Sequence, residues 1–290
     1  MILTAALVTG LGLGSMYGLL ALGFHITNAV SKTVNFAQGS AMMVGAVLGY
    51  TFLVTANLPW VLALPLTLAL CALYGLTIER FLVRPFAERG SDSWLMATVA
   101  GGLLVDNIVL FTFGKEPRQL PSALTERTVD VMGSGVYPLQ LLIPLTAFAL
   151  VALLLAVRRY TRLGKVMEAT VQNREAASLM GIPVRRVVAA AFALSSVLAA
   201  IAGLLIAPLY SVHADLGTVF GIKAFAVAIL GGINSALGVV VAGLLFGLLE
   251  ATVTATLGSA FTQLVSFSVV IVALALMPYG LFGKREVVKV

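Results

Sequence analysis

Only 10% of the residues are charged, and that shortage excludes most of what a chain of 290 residues could be. A soluble domain carries about 25% charged residues, and no polar run here approaches domain length. Cysteine occurs once, at Cys71 inside an apolar run. An internal disulfide is therefore excluded, and a core thiol is the expected role. The two histidines, His25 and His213, stand far apart in sequence, and no cluster with metal-ligand spacing occurs. The sequence has no GxxxxGK[ST] stretch, so no phosphate loop is expected on this chain. GLGLGS at Gly10–Ser15 mimics a dinucleotide fingerprint, but it follows no strand and begins inside an apolar run. No Ser/His/Asp arrangement stands out. An enzyme is not expected, nor a metal or cofactor.

What the sequence holds in abundance is oil. Sixty per cent of the residues are hydrophobic and the mean hydropathy is +1.06. These values describe an all-α, polytopic bundle of transmembrane helices. Apolar segments near Leu3–Ile26, Phe36–Ala56, Trp60–Ile78, Trp94–Phe113, Tyr137–Val157 and Val187–Leu209 are each about the ~20 residues that cross a bilayer. The N-terminal MILTAALVTG lacks a basic region and a clear cleavage site, so it reads as a retained first span. Residues 217–255 are too long for one crossing and are broken by Gly231-Gly232-Ile233-Asn234-Ser235. A last span is expected over Gln263–Phe282, followed by a basic tail with Lys284, Arg285 and Lys289.

The net charge of +6 and the pI near 9.7 do not call for nucleic acid as a partner. The basic residues cluster beside hydrophobic spans, the pattern of the positive-inside rule. With the loop near Arg162 placed in the cytoplasm, fourteen basic residues fall inside and three outside. Keeping the tail inside makes the Gly231–Ser235 break a turn between two crossings. Nine crossings then result, against the eight that hydropathy alone gives, and the N-terminus is expected outside.

The longest polar interruption of the second half is RLGKVMEATVQNREAASLMGIPVRR, Arg162–Arg186. Counted from Arg158 it carries seven basic residues against Glu168 and Glu175. Two short helices are expected, over Val166–Gln172 and Arg174–Met180. Asn173 suits the N-cap of the second, and Glu175 in the first turn suits its dipole. Gly181 can take the left-handed conformation that ends a helix, and Pro183 prevents continuation. A compact basic platform between two spans follows.

Glu175-Ala176-Ala177, three residues, then Gly181 resembles the EAA loop of ABC importer permeases. The wider text MEATVQNREAASLMGIPVRRV, with NFAQGSAMMVGA at Asn35–Ala46 and GLGSMYGLLALGFHITNAV at Gly12–Val30, resembles the LivH-type permease of branched-chain amino-acid importers. The likeness runs over essentially the whole chain. It implies one permease domain, 1–290, in the bacterial inner membrane, with 162–186 as its cytoplasmic coupling loop. Arg174, Glu175, Ala176, Ala177 and Gly181 would then couple to the ATPases. The implied partners are a LivM-type second permease or a second copy of this chain, two cytoplasmic ATPases and a periplasmic binding protein. Within the same class, urea, short-amide or other amino-acid importers have permeases that look alike. An ion-coupled secondary transporter is the rival from another class.

Polar groups at membrane depth are the candidates for a substrate path. Asp106 lies mid-span beside Asn107, Glu250 lies in the penultimate span, and Lys223 lies in the short one before it. Two roles are open to each: lining a route for a zwitterion, or pairing internally, with Lys223 also able to snorkel. Asn35 and Gln38 could line a path as uncharged amides, or could cap the start of the second span. Gly10, Gly14 and Gly18 fall on one helix face, and Gly45/Gly49 and Gly243/Gly247 repeat the spacing. Such faces let helix backbones approach closely in lipid.

Overall fold

A computed structural model describes residues 2–131, 134–277 and 280–283. Its helices are α1 (Ile2–Ser31), α2 (Gln38–Tyr50), α3 (Trp60–Thr77), α4 (Arg84–Ala87), α5 (Trp94–Phe113), α6 (Pro138–Tyr160), α7 (Arg162–Gln172), α8 (Arg174–Leu179), α9 (Val184–Ile206), α10 (Leu216–Gly231), α11 (Ala236–Leu257) and α12 (Ser259–Leu276). A two-stranded antiparallel hairpin, β1 (Val129–Val131) and β2 (Ser134–Val136), pairs Val129 with Val136. The protein is an all-α polytopic membrane bundle. Eight of its described helical stretches are long and apolar enough to cross a bilayer. The short α10 has 16 residues, or about 24 Å at 1.5 Å per residue, below the roughly 30 Å hydrocarbon core.

Several boundaries differ from the sequence expectation, each for a local reason. The first helix runs five residues past Ile26 and ends at Ser31, where Lys32 takes a left-handed φ of 57°. The third span does not stop at Ile78. It continues through a π-helical turn, Ile78–Val83, into α4. Glu79 is buried there and accepts two hydrogen bonds from the Arg84 guanidinium, at 3.0 and 2.7 Å. That pairing lets a charged sequence stay helical past Ile78, where the apolar run ends. The last span is Ser259–Leu276 and begins four residues earlier than Gln263, after Gly258 at φ 89°. The expected basic tail, Lys284, Arg285 and Lys289, lies outside the described residues.

The chain forms two compact units. One comprises the described parts of residues 1–25, 121–147 and 222–290, the other residues 26–120 and 148–221.

In the first unit the glycine faces named in the sequence are each other's partners. A Cβ on Gly14 would sit 2.7 Å from Leu244 Cα, and one on Gly243 would sit 2.6 Å from Gly18 N. Gly247 in turn abuts Gly14. The backbones of α1 and α11 thus touch along a seam that admits no side chain, the close approach that drives helix association in lipid. The expected turn between α10 and α11 is present. Gly232 has φ 86°, Ser235 N donates to Gly232 O, and the Ser235 hydroxyl accepts from Gly238 N to cap α11. His25 joins this turn through Nδ1 and Ile233 O at 2.7 Å.

In the second unit α9 is the central element. Gly45 of α2 packs on Ala200, Gly203 on Met42 O, and Gly75 of α3 on Phe192 O. At one end of α9 a cluster of Val30, Ala37, Ile78, Val83, Val188 and Phe192 is sealed from solvent. Val166, Met167, Ile182 and Val184 pack against it.

Candidate functional site

The polar platform is built on that cluster. The Thr161 hydroxyl accepts from Gly164 N at 3.1 Å and caps α7. This cap is why the first platform helix starts at Arg162 and not at Val166. Asn173 is extended, at φ −156° and ψ 109°, and its side chain accepts from Ala176 N at 3.0 Å. The expected N-cap is therefore in place, with Glu175 in the first turn. At the other end Gly181 has φ 82°, Gly181 N donates to Ser178 O, and Ile182 N donates to Ala177 O, both at 3.0 Å. This pair of bonds is a Schellman cap. It carries Ile182 back onto the hydrophobic cluster.

The platform is tied down at three places. Val166 and Met167 of α7 and Ile182 and Val184 beyond α8 are set in the cluster. Arg174 Nη1 donates to Ser31 O, the last carbonyl of α1, at 3.3 Å. Arg185 Nε pairs with Glu88 just past α4 at 2.9 Å. The Arg185 pair is exposed and contributes under about 1 kcal/mol, so apolar seating does most of the holding.

The five candidate coupling residues divide. Arg174, Glu175, Ala176 and Gly181 face solvent. Ala177 does not, being 4% exposed and packed inward as the residue whose carbonyl receives Ile182. A bulky residue there would have to lift α8 off its seat. The outward apolar residues are instead Leu179 and Met180, 89% and 83% exposed. The sequence marks them only as two large apolar residues in a polar loop, without saying which way they face.

The membrane-depth polar residues also divide. Glu250 is not an open carboxylate. Its Oε1 is paired with Lys223 Nζ, and its Oε2 accepts from the Tyr17 hydroxyl at 2.7 Å. Both charged side chains are 9% exposed, and the Lys223 ammonium lies 5.9 Å from the Tyr17 ring centre. Glu250 and Lys223 are thus paired with each other. Gln38 is likewise closed: its Nε2 donates to Ser195 O at 2.9 Å and its Oε1 accepts from the Ser195 hydroxyl at 2.8 Å. Asn35 Oδ1 accepts from Ala37 N at 3.1 Å, one turn before α2, while its buried Nδ2 has no partner. Asp106 Oδ2 accepts from the Thr218 hydroxyl at 3.1 Å, and its Oδ1 is buried with no partner. Asp106 and Thr218 lie more than a hundred residues apart, a pairing with no local sequence signature.

Residues 6–274 match the family described as branched-chain amino acid transport system, permease component. The chain belongs to that family. This permease is 30% identical over 97% of its length to the high-affinity branched-chain amino acid transport system permease protein LivH of Escherichia coli K12, covering 96% of it. It is 28% identical to BraD of Pseudomonas aeruginosa, with 98% and 97% of the two chains covered. The probable LivH of Methanocaldococcus jannaschii is 27% identical over 91% of this chain and 88% of its own. Among solved structures, PsaBC from Streptococcus pneumoniae in complex with Fab shares the fold, with a TM-score of 0.53 at 15% identity over 97% and 94% of the chains. The permease is a multi-pass protein of the inner membrane. Its three motif stretches take distinct places: Gly12–Val30 lies in α1, Asn35–Ala46 opens α2, and Glu175–Gly181 forms the α8 cap.

Proposed function

We propose that this chain is the permease subunit of an ABC importer for branched-chain amino acids, driven by ATP hydrolysed on partner subunits. The observation that carries the coupling role is the tip of the platform. Leu179 and Met180 stand out in water on a helix whose two ends are capped and whose base is seated in the core. Exposed large apolar residues at such a place mark a docking surface. A rigid seat lets a displaced tip push on α9 and, through Arg174 and Ser31, on the end of α1. Two ATPases would grip this loop, 162–186, on this permease and on its LivM-type partner or second copy. A periplasmic binding protein would deliver cargo from the other side. Closure of the ATPases would then re-aim the spans as rigid bodies.

The ion-coupled alternative asks for a relay carboxylate, and the Lys223 and Tyr17 bonds to Glu250 count against that residue. The test is reconstitution with the ATPases and binding protein, comparing wild type with Leu179→Ser/Met180→Ser. Leucine uptake should need ATP and should fall at least tenfold in the double variant, at unchanged abundance. Uptake that persists without ATP on a proton gradient would return the secondary transporter. Urea or a short amide transported in place of leucine would reassign the cargo.

A further inference from the structure

We infer that the Asp106 carboxylate receives the α-ammonium group of the transported amino acid, an inference that rests on the transport reading above. Asp106 is the thirteenth of the twenty residues of α5. It lies on the helix face that carries the buried Gly102, Val109 and Phe113, opposite the exposed Leu104, Ile108 and Phe111. One carboxylate oxygen is held by Thr218 of α10, and the other is buried with nothing bonded to it. The Ser40 hydroxyl of α2, itself 5% exposed, lies beside both this carboxylate and the Tyr74 hydroxyl of α3. Tyr74 in turn donates to Ala37 O at 3.1 Å. Ser40, Tyr74 and Thr218, all residues of the same unit as Asp106, thus bring polar atoms to one half-satisfied carboxylate.

The charge balance of the place asks for a cation. Asp215, just before α10, is a second carboxylate in electrostatic reach of Asp106. Among the described residues neither has a salt-bridge partner. A carboxylate at membrane depth is costly until something neutralises it, and the Glu250 site shows how this chain does so where the group is structural. The cation that fits is a primary ammonium. It brings three donors, and the carboxylate and hydroxyl oxygens offer acceptors. A divalent metal would want about six oxygens, and no group of three acidic or other metal-ligating residues occurs among the described residues. Thr218 is exposed, which leaves the set reachable from one side.

The experiment separates the two ends of the substrate. The wild-type complex with its partners, in lipid nanodiscs, is presented with millimolar isoamylamine or isocaproate, which keep the leucine side chain but only the amine or only the acid. Saturation-transfer NMR should show isoamylamine bound and displaced by leucine. Asp106→Asn should weaken that binding by about tenfold or more, the value of a charge-assisted hydrogen bond, and should leave any isocaproate signal unchanged. Silence of isoamylamine on the wild type overturns the site without recourse to a variant, as does equal binding in Asp106→Asn. If that variant is not inserted, Thr218→Val replaces it, with a weakening of a few-fold expected and none counting against the site. ATP-driven leucine uptake by the same wild-type preparation keeps the readings apart. Uptake with silent isoamylamine sinks this site alone, whereas absent uptake sinks the transport reading and the site with it.

Discussion

Glu250 and Asp106 are both carboxylates on membrane-spanning helices, and the chain treats them in opposite ways. Glu250 has a lysine on one oxygen and a tyrosine hydroxyl on the other, and is almost wholly enclosed. Asp106 has one oxygen on a threonine and one on nothing. The first arrangement is closed: charge and hydrogen bonds are satisfied inside one unit, joining α1, α10 and α11. The second is open. In lipid the cost of an unmet polar group is high, so a group left unmet is either supplied from outside or selected against. Two carboxylates at membrane depth thus differ in whether their lone pairs are filled, and depth alone does not separate them.

The sharpest way to break the contrast is to open the closed site. Lys223→Met leaves the Glu250 charge buried and unpaired, which costs about 3–5 kcal/mol. The permease should largely disappear from the membrane fraction. Lys223→Met/Glu250→Met removes both charges and should restore abundance measured by immunoblot. Equal abundance of the single variant and wild type would show that Glu250 is solvated and open after all.

A comparable loss is expected from Gly247→Leu, because its side chain would have to enter the backbone of α1 at Gly14. The measurement is thermal unfolding of the purified protein. A variant as stable as wild type would mean that the seam is loose.

Asp106→Asn belongs on the other side of the comparison. With no internal partner lost except an acceptor of Thr218, abundance should stay within about twofold of wild type, since an exposed hydrogen bond nets about 1 kcal/mol or less. Disappearance from the membrane would make Asp106 structural, like Glu250.

Gly181→Val is expected to have a smaller energetic effect with a functional readout. The residue sits at φ 82° with open space around its missing side chain. The cost is therefore backbone strain alone, about 1–3 kcal/mol, confined to the Schellman cap. Abundance should hold while substrate-stimulated ATPase activity of the reconstituted complex falls. Lys165→Gln, on the exposed rim of α7, should change neither measurement, and a loss there would move the docking surface off the Leu179–Met180 tip.

Composition and spacing were enough to read the membrane class, the positions of the helices, the turn at Gly231–Ser235, and the Asn173 and Gly181 caps. All of these rest on local rules: apolar runs of a fixed length, side chains that bond their own backbone, and glycine at positive φ. The glycine faces were legible as faces, but not that Gly14 and Gly18 would meet Gly243 and Gly247. Nor could sequence tell that Ala177 turns inward while Leu179 and Met180 turn out, since helix periodicity over six residues leaves the seated side undecided. Only the tertiary structure decided which of the intramembrane charges is filled. Lys223 reaches Glu250 across 27 positions and Tyr17 reaches it across 233, while Asp106 finds a hydroxyl and no cation. A side chain's partner is set by which helices pack together, and in lipid that choice is made by backbone fit along whole helix faces, which no local pattern encodes.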